Sequence, residues 1–298
     1  MSSLKQWFIA TRPWSFVMTA MSITAAAAYT FYLTQGINIP FYVATLLGVT
    51  LLHASANVLN DYYDTIRKVD VPGAPTTQYR PHPILTGFAT PEKVRNFGLL
   101  LLASGLLFAG ILSVYRTLLV IILALSGVFF VISYSGVLGL KYKALGEVAV
   151  FLSWGPLMWL GTFYVLTGHL DPAPVLASTP IGLLVAAVLT ANNLRDIEFD
   201  KSHGAVTLEV LLGLERGRLF YAYFEVFLAY VVLLILAIAG VVPLLALLAL
   251  LSLPRAIKLV RMFEKEIPAD ADPRTAMLVQ DFGLLYIAGI ILGAVLKI

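Results

Sequence analysis

The sequence predicts an all-α, multi-pass membrane protein: nine transmembrane helices in a bundle, forming one domain over 1–298. Three observations predict it. Hydrophobic residues make up 59% of the 298-residue chain and charged residues 12%, about half the charged share of a soluble domain. Mean hydropathy is +0.88, more apolar surface than a water-soluble core of this size can hide, so a lipid bilayer is the expected partner. The apolar runs are also long and lack the strict alternation of barrel strands.

A spanning helix needs about 20 mostly apolar residues. Such runs lie near 15–33, 40–60, 97–114, 117–135, 147–167, 174–193, 219–239, 241–259 and 276–296. The second and sixth carry polar residues at their C-terminal ends. Pro254, Arg255 and Lys258 crowd the end of the eighth. The first sixteen residues lack the short apolar core and cleavage site of a signal peptide, so the first span is expected to be permanent. No cysteine is present, which excludes disulfides and thiolate metal sites. The net charge is only +3, and no nucleic-acid partner is expected.

With nine spans, all of the 20 Lys and Arg except Arg116 and Lys297 fall on the side of the N-terminus. Lys and Arg accumulate on the cytoplasmic side of a membrane. The chain is therefore expected in the cell membrane with its N-terminus and long loops cytoplasmic and its C-terminus outside. Residues 61–95 and 194–218 are the inner loops with room for a polar site.

Both segments carry chemistry. The second span ends in Asn57, Asn60, Asp61 and Asp64, followed by Arg67, Lys68 and Asp70. The sixth ends in Asn192, Asn193, Arg195, Asp196 and Asp200, followed by Lys201, His203 and Gly204. Asn60 with Asp64, and Asp196 with Asp200, stand four apart and so share one helix face. Carboxylates one turn apart repel, and charge near a membrane is costly. A hard divalent cation relieves both. Mg²⁺ takes one or two carboxylates together with water and phosphate oxygens, so Asn60, Asp61, Asp64, Asp196 and Asp200 are candidate metal ligands, Asp61 of second rank. Arg67, Lys141 and Lys201 are candidate phosphate contacts, with Asn57 and Asn193 as polar groups that bind phosphate or tie helices together. Solvated helix ends and snorkelling anchors are the plain alternative for one such cluster. Two on the same side favour a site. Glu198 falls off the Asp196/Asp200 face and is read as solvated, His203 as a loop residue, Arg12 as an anchor of the first helix. Asp281 is expected to face a neighbouring helix. The stretch 71–83, rich in Pro and Thr, is read as a lid.

These residues resemble the UbiA superfamily of intramembrane aromatic prenyltransferases, over nearly the whole chain. The first family signature resembles Asn60-Asp61-x-x-Asp64 with Asp70 beyond it. The second resembles Asp196-x-x-x-Asp200 within Asn192-Asn193-x-Arg195-Asp196, followed by Gly204-Ala-Val-Thr207-Leu208. A third segment, Tyr134 through Lys141 and Lys143 to Gly146-Glu147, is similar to the menaquinone-type, 1,4-dihydroxy-2-naphthoate prenyltransferase-like branch. Lys68 stands where the longest form of the first motif has an acid, which leaves the role of Asp70 open.

The resemblance implies Mg²⁺-dependent transfer of an isoprenyl group from a prenyl diphosphate to an aromatic quinone precursor within the membrane, with Mn²⁺ as a replacement ion. Asp64, Asp196, Asp200, Lys141 and Tyr134 would be the catalytic set. Trp14, Tyr62, Tyr63 and Tyr134 are aromatic faces placed by sequence to meet an allylic cation. The competing class is a secondary transporter with a cytoplasmic-side ion or anion site. Transporter sites, however, lie near the midplane between inverted repeats, whereas these acids cluster at one end.

Overall fold

A computed structural model describes residues 3–297. It is all-helical, with no strand among the described residues. Among the described residues the longer rods are, in chain order, α1 (Ser3–Thr34, bent at Arg12), α2 (Ile39–Ile66), α3 (Pro91–Tyr115), α4 (Leu119–Ser135), α5 (Gly146–Thr167), α6 (Thr179–Ser202), α7 (Leu214–Ile238), α8 (Leu253–Lys265, led in by the 3₁₀ stretch Leu244–Ser252) and α9 (Ala271–Leu296). Six of these, α1, α2, α3, α5, α7 and α9, are long and apolar enough to cross a membrane. The other three fall short of that measure for visible reasons. Helix α4 has 17 residues. Helix α6 is polar over its last turns, and the eighth element changes from 3₁₀ to α at Pro254, at the start of a helix carrying Arg255, Lys258, Arg261 and Lys265.

Local chemistry sets the boundaries. Asn38 caps α2, its side chain accepting from the Phe41 N–H at 3.0 Å, with Pro40 in the first turn. Thr90 and Pro91 open α3 in the same way. Helices α5 and α7 contain wide π-type turns at Ser153–Leu157 and Phe220–Phe227. The turn in α5 coincides with Pro156, which has no N–H to give to the helix ladder.

Helix α2 packs along α3, while α9 packs against α1, α6 and the 3₁₀ lead-in of α8. Helices α2 and α3 meet closely at Gly48 and Gly105. A Cβ on Gly105 would lie 2.8 Å from Leu52 and 2.9 Å from the Gly48 carbonyl oxygen. The principal core gathers buried aromatic residues including Tyr29, Trp159, Tyr221, Phe282 and Tyr286. The tyrosine hydroxyls find partners, Tyr29 on the Val241 carbonyl at 2.7 Å and Tyr286 on the Ala177 carbonyl at 2.9 Å, as buried phenols must. Outward-facing residues such as Leu107, Val114, Ile122 and Ile238 are exposed apolar side chains, as expected where lipid rather than water is the neighbour.

Candidate active site

A cavity of about 340 Å³ runs lengthwise inside the bundle. It is lined by α2 from Ala44 to Asn60, a length of about 24 Å at the helical rise of 1.5 Å per residue. One end is polar, with Arg12, Asn57, Asn60, Tyr134, Lys141, Asn192 and Asp272. The other is apolar, with Ala109, Leu112, Val120 and Val165.

The polar mouth is built by the ends of α2 and α6 and by the turn after α4. Helix α2 stays helical through Ile66, so Asn60 and Asp64 lie one turn apart, and the Asn60 amide donates to Asp64 at 3.0 Å. Helix α6 likewise runs through Ser202 and carries Asp196 and Asp200 on consecutive turns. Between them comes Lys141. Gly139 adopts φ +60°, a left-handed conformation open to glycine at little cost. The turn it makes delivers the Lys141 ammonium to Asp64 at 2.9 Å, and the Tyr142 hydroxyl donates to the same carboxylate. Burial acts against the charge of Lys141, but Asp64, the neighbouring tyrosines and Asp200 outweigh it and hold the ammonium well above its ordinary range. Asp200 lies within electrostatic reach of Lys141, Asp196, Asp64 and Asp70. Three carboxylates, Asp64, Asp196 and Asp200, and the Asn60 amide oxygen, with no sulfur donor, are the donor type that a hard divalent cation takes. In donor type these residues fit Mg²⁺.

Other expected residues sit as follows. The Asn60 side-chain oxygen accepts from Ser135 at 2.6 Å. Asp196 is held in bidentate contact by Arg195, which also reaches Asp272 at 2.5 Å. Arg67 donates to the Gly136 carbonyl at 2.5 Å and lies over the Tyr142 ring. Lys201 is exposed beyond the mouth. Asn57 bonds to the Thr11 carbonyl at 2.9 Å and to Ser15 at 3.0 Å, on the α1 side. Asn193 is turned to Glu147, donating at 2.8 Å.

Asp61, expected as a second-rank ligand, has partners of its own, apart from those of Asp64. It is fully buried, takes two hydrogen bonds from Arg80 at 2.9 and 2.6 Å, and pairs with Arg12. Asp70 and His82 approach it closely enough for the three to form a compact His/Asp group. Two arginines already balance Asp61, and the His82 Nδ1 accepts from the backbone N–H groups of Ile84 and Leu85 at 3.2 Å. The group therefore clasps the segment between α2 and α3. Asp281 pairs with Arg255 at 2.5 Å between helices. His203 is exposed and stacks on Phe199, and Glu198 is exposed.

The fold and cavity define an all-helical membrane protein with a pocket for an amphiphile: an anionic head at a carboxylate-and-lysine mouth, an apolar tail in the bundle. The pattern of the UbiA prenyltransferase family matches residues 20–279, and the chain belongs to that family. It is 31% identical over 294 residues to UbiA prenyltransferase domain-containing protein 1 of Danio rerio, covering 98% of this chain and 85% of that one. Solved structures with the same fold include a UbiA homologue from Aeropyrum pernix K1 in its apo form (TM-score 0.69, 17% identity, 92% of this chain and 97% of that one). Another, from Archaeoglobus fulgidus, is bound to DMAPP and Mg²⁺ (TM-score 0.62, 17% identity, 95% and 99%). The protein is thus a prenyltransferase, and the transporter reading falls.

Proposed function

We propose that the protein transfers an isoprenyl group from a prenyl diphosphate to an aromatic quinone precursor of the hydroxynaphthoate type. The observation that carries the reading is the two-natured cavity: Asn60 and Lys141 line its polar end, with Asp64 paired to Lys141 and Asp200 within electrostatic reach, and apolar walls run along its length. Asn60, Asp64, Asp196 and Asp200 would hold Mg²⁺ or Mn²⁺ with the diphosphate. Bound there, the ion supplies Lewis-acid charge that stabilises the departing diphosphate. Lys141 adds a fixed positive charge at the same oxygens, with Arg67 and Lys201 as further phosphate contacts and Asn193 as a more distant polar support. Tyr134, on the cavity wall, faces the allylic carbon. The apolar walls bind the tail and exclude water, which keeps the allylic carbon for the acceptor ring rather than for hydrolysis.

Nine spans, with the mouth and the N-terminus cytoplasmic and the C-terminus outside, complete the reading. It is supported by the confinement of all but two Lys and Arg to one side. The similarity of the Tyr134–Glu147 segment to the menaquinone-type branch favours 1,4-dihydroxy-2-naphthoate as acceptor. The test is incubation of the purified protein with geranylgeranyl diphosphate, Mg²⁺ and each of 1,4-dihydroxy-2-naphthoate, 4-hydroxybenzoate and a glyceryl phosphate. A prenylated naphthoate is expected. A prenylated glyceryl phosphate alone would contradict the aromatic assignment.

A further inference from the structure

Helix α8 has two unlike faces. Ala256, Leu259, Val260 and Phe263 are buried against the bundle. The opposite face carries Pro254, Ile257, Lys258, Arg261, Met262 and Lys265, and an open space of about 410 Å³ lies along it. Positions 254, 258, 261 and 265 recur at steps of four and three, so they form one stripe along the helix. Lys258, Arg261 and Lys265 are exposed, and among the described residues none of the three has a carboxylate partner. Arg255, to one side of the stripe, differs: Asp281 of α9 holds it at 2.5 Å. Glu264 is exposed on the flank of the stripe, and Glu266 lies beyond the end of the helix.

Position decides what such a stripe meets. The 3₁₀ stretch Leu244–Ser252 is apolar up to its last residue. Together with α8 it measures about 37 Å at the rises of the two helix types, longer than a hydrocarbon layer of about 30 Å. The basic end of α8 is therefore the part that emerges into the headgroups. It stops just short of Asp272, which lines the polar mouth of the cavity, so the stripe stands on the mouth side. Cations on an outward helix face are costly in hydrocarbon and reach for the phosphate level on their apolar stems. Lys258 and Lys265 are about 10 Å apart along the axis, with Arg261 between them. Pro254, Ile257 and Met262 add apolar surface beside the charges. A phosphodiester on an acyl chain answers both features. Free phosphate answers only the charges, and a zwitterionic headgroup brings a cation of its own against them.

We propose that the outward face of α8 binds one anionic phospholipid of the mouth-side leaflet, its phosphate held by Lys258, Arg261 and Lys265. The site lies outside the prenyl-transfer cavity and rests only on the crossing of α8 proposed above. Its test uses neither substrate nor Mg²⁺, so it stands or falls apart from the reaction. Detergent-purified protein is titrated with dioleoyl phosphatidylglycerol and with dioleoyl phosphatidylcholine, and bound lipid is counted by native mass spectrometry. Wild type should hold one phosphatidylglycerol about tenfold more tightly than phosphatidylcholine. The triple variant Lys258→Gln, Arg261→Gln, Lys265→Gln should lose that preference. The variant Lys5→Gln, Lys93→Gln, Arg95→Gln, which removes three other exposed cations, should keep it. Raised salt should weaken the preference in wild type, a reading that needs no variant to fold. Equal binding of the two lipids by wild type would overturn the proposal, as would a preference indifferent to salt or one that survives in the α8 variant. Equal loss in both triple variants would reduce the effect to overall surface charge and overturn it too. Displacement of phosphatidylglycerol by excess inorganic phosphate would make the stripe a simple anion site and contradict the lipid assignment.

Discussion

Asp64 gathers three partners from the chain: Asn60 one turn before it, and Lys141 and Tyr142 from the turn after α4. Asp64→Ala and Asp200→Ala are expected to abolish Mg²⁺-dependent turnover while leaving a folded protein, checked by product formation alongside detergent melting curves. Glu198→Ala, on the exposed side of α6, should lose less than threefold, and a loss as large as that of Asp200→Ala would contradict the choice of helix face. Glu209 makes a pH prediction. It is fully buried in the short helix Leu208–Leu212, and burial first, then the nearby Glu147 carboxyl, raise its pKa above the ordinary 4.5. The folded protein then keeps a proton that the unfolded chain releases, so stability falls as pH rises above 4.5. Glu209→Gln should flatten that fall and melt higher than wild type at pH 8. Identical pH slopes would contradict it. The i, i+4 pairs Asn60/Asp64 and Asp196/Asp200 were legible in sequence because each lies on one helix and its spacing survives folding. The pairing of Lys141 with Asp64, and the gathering of Glu147, Asn193 and Glu209, join distant segments and leave no local pattern. Glu225, buried in α7 and bonded to Thr190 at 2.9 Å, was visible in sequence as a lone acid inside an apolar run, away from the two polar loops.

Among the elements, the segment between α2 and α3 bears most on the mouth. It is fastened by Arg80 to Asp61 and by His82 to Asp70 at 3.3 Å. Removing one member of a buried charge pair costs about 3–5 kcal/mol, and Arg12 remains on Asp61, so Arg80→Ala should fall at the low end. Its expected signature is local: faster proteolysis and amide exchange across 71–83, with the α6–α9 core protected as before. Unchanged protection of that loop would contradict the clasp. The second helix starts at Ile39, beside the expected 40, whereas the third starts at Pro91, ahead of the apolar run at 97, because Thr90 caps a polar first turn that hydropathy does not register. The wide turns in α5 and α7 were not legible, because a π-type turn depends on what packs against it. The eighth run changes character where Pro254 and its following charges stand.

At the scale of the molecule, the bundle holds an elongated space between a charged mouth and an apolar end. Its long axis follows from α2, whose inward face is polar at Asn57 and Asn60 and apolar toward Ala44. Ala124, on the cavity wall near the apolar end, should control depth: Ala124→Phe is expected to lower turnover of geranylgeranyl diphosphate at least tenfold relative to geranyl diphosphate. An unchanged ratio would mean that the tail takes another route. Hydropathy announced the bundle and charge placement its polar end, but the cavity itself was not legible, since it is a difference between packed volumes of several helices. The central claim, a metal-dependent diphosphate site shared by α2 and α6, is tested most directly by binding of geranylgeranyl diphosphate to the detergent-purified protein with Mg²⁺ and then with EDTA, in wild type, Asp64→Ala and Asp200→Ala. The account predicts binding that needs Mg²⁺ and is lost in both variants; binding that survives EDTA, or persists undiminished in both variants, would contradict it.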